Sequence, residues 1–294
     1  MRERIFFRAL AALMALVLFF GCMPALAEGD DWTNILLLGC DSYTKNAHER
    51  TDSMIIVSVN AGSGQVKMTS LMRDTWIPVP GHSYSRKLTE LCTVGGPELT
   101  MRAINESFGM NIEKYALIGM AGIAEVIDLV GGIEIDVTEE ERRALNRGLF
   151  NLSSLSGMEK LEKCGKNVHL NGNQATAFAR IRKIDSDFVR TERQRTVLLA
   201  MADKFKAGAS PAALVNIITT LLSYVETNIT LTEIVTLAQL GLEADLDEIQ
   251  QFRIPADGTY ESGMYQGFWS IRPNFQKNAR LLNGFIYGTD DHQD

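Results

Sequence analysis

The sequence predicts an α/β layered domain, and three observations predict it. Short apolar runs, the first closed by glycine, alternate with amphipathic stretches of helical period, as buried strands alternate with covering helices. The composition, 46% hydrophobic and 22% charged over 294 residues, is that of a globular chain long enough to build a sizeable core. Charged residues gather where the apolar runs end, the place where loops of an α/β sheet converge into sites.

The first residues stand apart from that pattern. Arg2, Arg4 and Arg8 form a positive start, an apolar run follows from Ala9 to Phe20, and Ala25-Leu26-Ala27 has the small-x-small form of a cleavage site before Glu28. Three readings stay open for residues 1–27: a cleaved signal, a retained membrane anchor at Ile5 to Met23, or a lipidated Cys22 in Phe19-Phe20-Gly21-Cys22. Each exports the chain, so the expected location is the extracytoplasmic face of the membrane.

Asn34 to Gly39 reads as the first buried strand, Met54 to Val59 as the second and Gln65 to Met72 as the third. Asn60-Ala61-Gly62-Ser63-Gly64 joins the last two as a hairpin turn. A helix follows over Pro97 to Phe108, opened by Gly95-Gly96 and ended by Gly109. Next come a strand at 112–118, an apolar helix at 121–130 and an alternating strand at Ile133 to Val137. Residues 139–168 read as a helix and a long polar loop. Asn173 to Phe178 is helical in character, Ala179 to Lys183 extended, and a long helix runs from Arg190 to Lys206. Helices at 211–223 and 231–241, a strand at Phe252 to Pro255 and a helix at Asn274 to Phe285 complete the chain.

The formal net charge of −7 opposes generic nucleic-acid binding, and no nucleic-acid partner is expected. Cys40, Cys92 and Cys164 are an odd number and so form no complete disulfide framework; no CxxC pair or metal-ligand histidine spacing occurs.

Two groups of residues carry the chemistry. Asp41 follows the first strand, Arg50 and Asp52 precede the second, and Arg73 and Asp74 follow the third, so all five can meet at one sheet edge. Taken singly, each is ordinary loop charge. The second group is denser. In an extended Ala179-Arg180-Ile181-Arg182 the two arginines share a face, and Arg190, Arg193 and Gln194 share a helix face at spacings of three and four. Arg195 points elsewhere, into solvent. Arginine forks match phosphate oxygens and keep their charge when partly dehydrated. Carboxylates beside a diphosphate repel it unless a cation stands between them, so Mg²⁺ is the expected cofactor, held by Asp41 and Asp52.

Residues 34–41 (NILLLGCD), 50–54 (RTDSM), 71–75 (LMRDT), 87–96 (KLTELCTVGG), 129–137 (LVGGIEIDV) and 170–194 together resemble the LytR-CpsA-Psr family, from about residue 32 to 206 and more loosely to the C-terminus. The resemblance implies a single three-layer α/β/α domain over 28–294 with a central mixed sheet. It implies transfer of a phosphate-linked glycopolymer, such as a teichoic acid or capsular polysaccharide, from a polyprenyl-diphosphate donor to peptidoglycan, with a membrane lipid in an apolar tunnel lined by helices at 100–108, 121–130 and 211–223. By matching position, it places Arg50, Arg73, Lys87, Arg180, Arg182, Arg190 and Gln194 around the diphosphate and Asp41 and Asp52 on Mg²⁺. Asp74, Arg73 and Arg182 are the expected catalytic set, with Asp74 orienting arginines or acting as base. The chain departs from the family at Tyr43, where arginine is usual, at Thr89, where asparagine is common, and at Val189, where glycine is usual. Two other activities compete with transfer: hydrolysis of the diphosphate, and non-catalytic binding of polyprenyl phosphates in the envelope.

Overall fold

The computed structural model describes residues 32–40, 48–151, 159–182, 184–208 and 222–288. The leader, Asp41, Tyr43 and the expected helix at 211–223 (but for residues 222 and 223) lie outside them. Among the described residues no helix is long and apolar enough to cross a membrane.

The three apolar runs form β1 (Trp32–Cys40), β2 (Thr51–Asn60) and β3 (Val66–Leu71), antiparallel in succession. The 60–64 turn closes β2 on β3 as expected, with Gly64 at φ 70°. Thr75 begins a ribbon of β4 (Trp76–Pro78) and β5 (Ser85–Lys87) that the sequence reading missed. Next comes α1 (Leu91–Phe108), broken at Gly95 and Gly96 and restarted at Pro97, then β6 (Lys114–Gly119). The chain continues through α2 (Met120–Leu129), β7 (Ile133–Val137), α3 (Glu139–Asn151), β8 (Gly165–Leu170), α4 (Gly172–Ala179) and α5 (Asp187–Gly208). It ends with β9 (Val225–Thr227), α6 (Leu231–Glu243), β10 (Gln250–Ile254), the hairpin β11 (Tyr260–Tyr265) and β12 (Phe268–Pro273), and α7 (Phe275–Tyr287).

The main sheet runs β10-β3-β2-β1-β6-β9 and is mixed, with β1 parallel to β6, β3 parallel to β10, and the other pairs antiparallel. Period-two alternation decides what covers each face. Leu36, Leu38, Met54 and Ile56 pack one face against Leu99, Ile104 and Phe108 of α1 and Leu282 and Ile286 of α7. A second core joins β7–β8 with α2 to α5 through Ile127, Ile135, Leu145, Leu149, Phe178 and Val197. On the sheet face opposite Leu36, the residues Leu37, Val57, Ala116 and Ile118 stay half-buried, forming an apolar strip beside α2. Helix 100–108 belongs to α1 and packs in the core on the other side, so it does not border that strip.

Two local expectations are corrected. The expected extended stretch at 179–183 is not seen in its described start, and Lys183 lies outside the described residues. The Arg180 amide bonds to the Ala177 carbonyl and the Ile181 amide to that of Phe178, so the chain leaves α4 in a helical turn. The long loop expected across 139–168 is shortened at its end by β8, which pairs with β7.

Candidate functional site

The carboxyl end of β3, the start of β2, the ribbon β4–β5 and the start of α5 meet at one place. Backbone bonds fix the end of β3 to the segment after the ribbon: the Leu88 amide to the Thr75 carbonyl at 2.8 Å and the Thr89 amide to the Arg73 carbonyl at 3.0 Å. Arg73 stands at the centre. Its Nη1 donates to Asp52 Oδ1 at 2.6 Å, and its Nε lies 3.5 Å from Asp74 and 3.4 Å from Asp187. Lys87 Nζ donates to Asp74 Oδ1 at 2.7 Å. Arg182 holds the second oxygen of Asp52. Arg190 donates from Nη2 to the Asp52 carbonyl at 3.3 Å and to Asp187 Oδ2 at 2.9 Å.

Four cations (Arg73, Lys87, Arg182, Arg190) thus face three carboxylates (Asp52, Asp74, Asp187). Burial raises the Asp52 pKa, but the Arg73 hydrogen bond and the charges of Arg73, Arg182 and Arg190 outweigh it, so Asp52 sits below its usual 3.8. Burial lowers the Arg73 pKa, and Asp52, with Asp187 and Asp74, more than restores it. For Arg190, only 1% exposed, burial wins and the pKa falls to about 10, so the side chain stays cationic at neutral pH. Its Nε and Nη1 are buried without an acceptor among the described residues, while the buried Nε of Arg73 makes only the two longer ion-pair contacts to Asp74 and Asp187. A buried guanidinium hydrogen without an acceptor costs about 1–3 kcal/mol or more. The cluster therefore has unused capacity for an anion, at the N-terminal end of α5, whose dipole adds to it.

Not every residue singled out in the sequence joins the cluster. Arg50 is 68% exposed and pairs with Glu90 at 3.3 Å. Arg180 is half-buried and lies against the sulfur of Met120. Gln194 stands one turn beyond Arg190 on α5, half-buried. Arg193 does not act with Arg190; it bridges Glu141 and Asp185 and ties α5 to α3. Arg195 is not solvated. It is buried, donating at 2.6 Å to both Ser70 Oγ and Gln251 Oε1. Asp187, three residues before Arg190 on α5, also enters the site.

Asp52 fits Mg²⁺ in kind, as a hard carboxylate oxygen donor beside an anion site. Such an ion needs only one or two protein carboxylates when phosphates supply other ligands. Among the described residues no group of three or more acidic, histidine or cysteine side chains converges on a metal position.

Comparison with known proteins agrees with this fold. The LytR_cpsA_psr family model matches residues 22–280. The polyisoprenyl-teichoic acid–peptidoglycan teichoic acid transferase TagV of Bacillus subtilis is 32% identical over 216 residues, 70% of this chain but 52% of TagV. The TagU transferase of Bacillus mycoides is 29% identical over 240 residues, covering 81% of this chain and 73% of TagU. The chain thus spans about half the length of the first relative and about three quarters of the second. The crystal structure of B. subtilis TagV aligns with a TM-score of 0.69 at 26% identity, over 88% of this chain and 98% of that one. A structure of TagT bound to LIIa-WTA aligns with a TM-score of 0.70 over 90% of this chain and 93% of that one; at 22% identity it shares the fold alone.

Proposed function

Because the chain belongs to the LytR-CpsA-Psr family, we propose that it transfers a phosphate-linked glycopolymer from a polyprenyl-diphosphate carrier to peptidoglycan at the outer face of the membrane. TagV and TagU, whose names state that activity, motivate the reading. One observation carries it: the buried Nε and Nη1 of Arg190, without an acceptor among the described residues, in a cluster that also holds Arg73, Arg182 and Lys87.

In this reading the diphosphate lies among Arg73, Lys87, Arg182 and Arg190, with Arg50, Arg180 and Gln194 at its margin. The polyprenyl tail runs along the half-buried strip of Leu37, Val57, Ala116 and Ile118. An acceptor-sugar hydroxyl attacks the glycan-proximal phosphorus. The bond from that phosphorus to the bridging oxygen breaks, polyprenyl monophosphate leaves, and a phosphodiester forms. The arginines stabilise charge on the phosphoryl oxygens and on the leaving group, which is where such transfers gain most. The hydroxyl proton passes to a carboxylate. Asp52, held below the usual carboxylate range by its arginines, is a poor base; Asp74, beside Arg73 and paired with Lys87, is the proposed acceptor of the proton. Asp41 and Asp52 are the proposed holders of Mg²⁺, which supplies charge neutralisation on the phosphates when bound.

The test is incubation of the purified protein with a synthetic polyprenyl-diphosphate glycan, Mg²⁺ and nascent peptidoglycan, for wild type and Arg182→Ala. A glycan–peptidoglycan phosphodiester that depends on Arg182 is the expected result. Free phosphorylated glycan formed whether or not acceptor is present would mark a hydrolase instead. Intact diphosphate in both proteins would leave only lipid binding.

A further inference from the structure

The hairpin β11–β12 is built onto the phosphate cluster, yet most of its surface is unused. Its root is held by the Ile271 amide, which donates to the Asp74 carbonyl at 2.9 Å, and by a parallel bridge from Thr75 to Ile271. Its tip is a two-residue turn, Gln266 and Gly267, both at positive φ (48° and 83°), the geometry that matches strand twist and fixes the register Met264 to Trp269. With that register, Tyr260, Ser262, Met264, Trp269 and Ile271 share one face. At the root of this face Tyr260 meets Phe188, the neighbour of Asp187, with ring centroids 6.4 Å apart. At its tip Met264 is 71% exposed and Trp269 47% exposed.

An aromatic strip therefore rises from the mouth of the phosphate cluster. From Tyr260 to Met264 it spans about 13 Å at strand rise, longer than one sugar ring. Large exposed apolar side chains set side by side are uncommon on a surface without a partner. We propose that this face of the β11–β12 hairpin is the docking platform for the acceptor glycan, with Trp269 as its principal stacking residue.

The choice of a carbohydrate over a lipid surface follows from charge and composition. The hairpin's only charged residues, Glu261 and Arg272, pair with each other at 2.9 Å, so it offers no surplus cation to an anionic bilayer. The Ser262 hydroxyl lies between the aromatic positions on the same face and adds a hydrogen-bonding group of the kind a sugar uses. A sugar ring presents a flat C–H face that packs by dispersion on an aromatic ring, while its rim hydroxyls need polar partners. Position supplies the rest. The transfer reading, on which this proposal rests, requires an acceptor hydroxyl at the phosphorus, and this strip leads there from outside.

Binding of soluble strands of alternating N-acetylglucosamine and N-acetylmuramic acid to the full chain, measured calorimetrically without donor, tests the platform. Trp269→Ala is expected to weaken binding about tenfold or more, a loss of roughly 1.4 kcal/mol. Phe268→Ala, a change at a still more exposed ring on the opposite face, is expected to leave it unaltered. Flotation with anionic phospholipid vesicles is expected to be the same for wild type and Trp269→Ala. Unchanged glycan affinity in Trp269→Ala overturns the proposal; so does equal loss in Phe268→Ala, or loss of vesicle binding with glycan binding intact. The assay needs no turnover. Glycan binding through Trp269 without phosphodiester formation would refute the transfer reading alone, and normal transfer with glycan affinity unchanged in Trp269→Ala would refute the platform alone.

Discussion

Asp187 accepts from Nη2 of Arg190 at 2.9 Å and leaves Nε and Nη1 of the same buried guanidinium without an acceptor among the described residues. The carboxylate holds the fork in place without using it up. That combination separates a binding arginine from a structural one. Arg193, three residues on, spends its Nε on Glu141 and both its terminal nitrogens on Asp185.

Arg190→Lys keeps the charge and loses the fork. Charge-assisted hydrogen bonds contribute about 1–3 kcal/mol each, so affinity for a short-chain polyprenyl diphosphate should fall about tenfold to a hundredfold. Isothermal titration measures this. An unchanged dissociation constant would mean that the free donors of Arg190 do not meet the ligand.

Asp52 links stability to pH. Its pKa is lower folded than its usual 3.8, so it contributes stability above that value and loses it as the pH falls through the folded pKa. Asp52→Asn leaves Arg73 and Arg182 without their shared carboxylate and should cost about 1–3 kcal/mol near neutrality. Urea unfolding at pH 7 and near pH 3 should show that gap narrowing in acid. A gap of constant size would contradict the role of ionised Asp52.

How far the sequence shows these features depends on which forces are local. The runs at 34–39 and 54–59 are mostly apolar because one sheet face is buried and the other half-buried, and the turn at 60–64 is rich in glycine, so strands and hairpin can be read directly. Ala179-Arg180-Ile181-Arg182 imitates a period of two, but Arg180 and Ile181 close the end of α4 through their amides, and Arg182 reaches Asp52, far away in the chain. Arg195 looks like a solvated helix residue because its acceptors, Ser70 and Gln251, are far away in the chain. The strands β8, β11 and β12 were missed for a different reason: with Gly165-Lys166-Asn167 in one and a largely exposed surface in the others, they carry no apolar run. At the site, Asp52, Arg73 and Asp74 come together as their places at strand ends suggest, joined by Arg182 and Arg190 of the arginine-rich segment and by Lys87, which only the resemblance singled out, whereas Arg50 turns to Glu90.

Arg195 offers a structural counterpart to Arg190. Arg195→Met fills similar space but removes the donors of the buried Ser70 hydroxyl and of Gln251. The loss should be about 1–3 kcal/mol of stability, or a fall in Tm of about 2–4 °C per kcal/mol. Donor affinity should stay near wild type. A rise in Tm would show that burying the unpaired charge costs more than its two hydrogen bonds return.

Gly172 tests the packing that carries Arg180 and Arg182. Its amide donates to Asp128 Oδ1 at 2.7 Å, and Asn171 before it caps α4 by accepting from the Gln174 amide and receiving the Gln174 side chain at its own. A Cβ at residue 172 would lie 2.0 Å from the Ala124 carbonyl oxygen and 2.5 Å from its carbon. Both atoms are backbone of α2, so no side-chain rotation relieves the clash. Gly172→Ala must push α4 away from α2 and carry the arginines at the end of α4 with it. Overpacking of this kind costs about 1–3 kcal/mol and sometimes more, and a backbone clash belongs at the upper end. Gly148→Ala is the matched control. It lies within α3, where a Cβ meets nothing closer than 3.8 Å, and should stabilise by about 0.5–1 kcal/mol. Thermal unfolding of the two variants should therefore move in opposite directions, and donor affinity should fall only in Gly172→Ala. Equal melting temperatures would show that α4 can withdraw from α2 at no cost, and that Arg182 does not depend on this contact for its place beside Asp52.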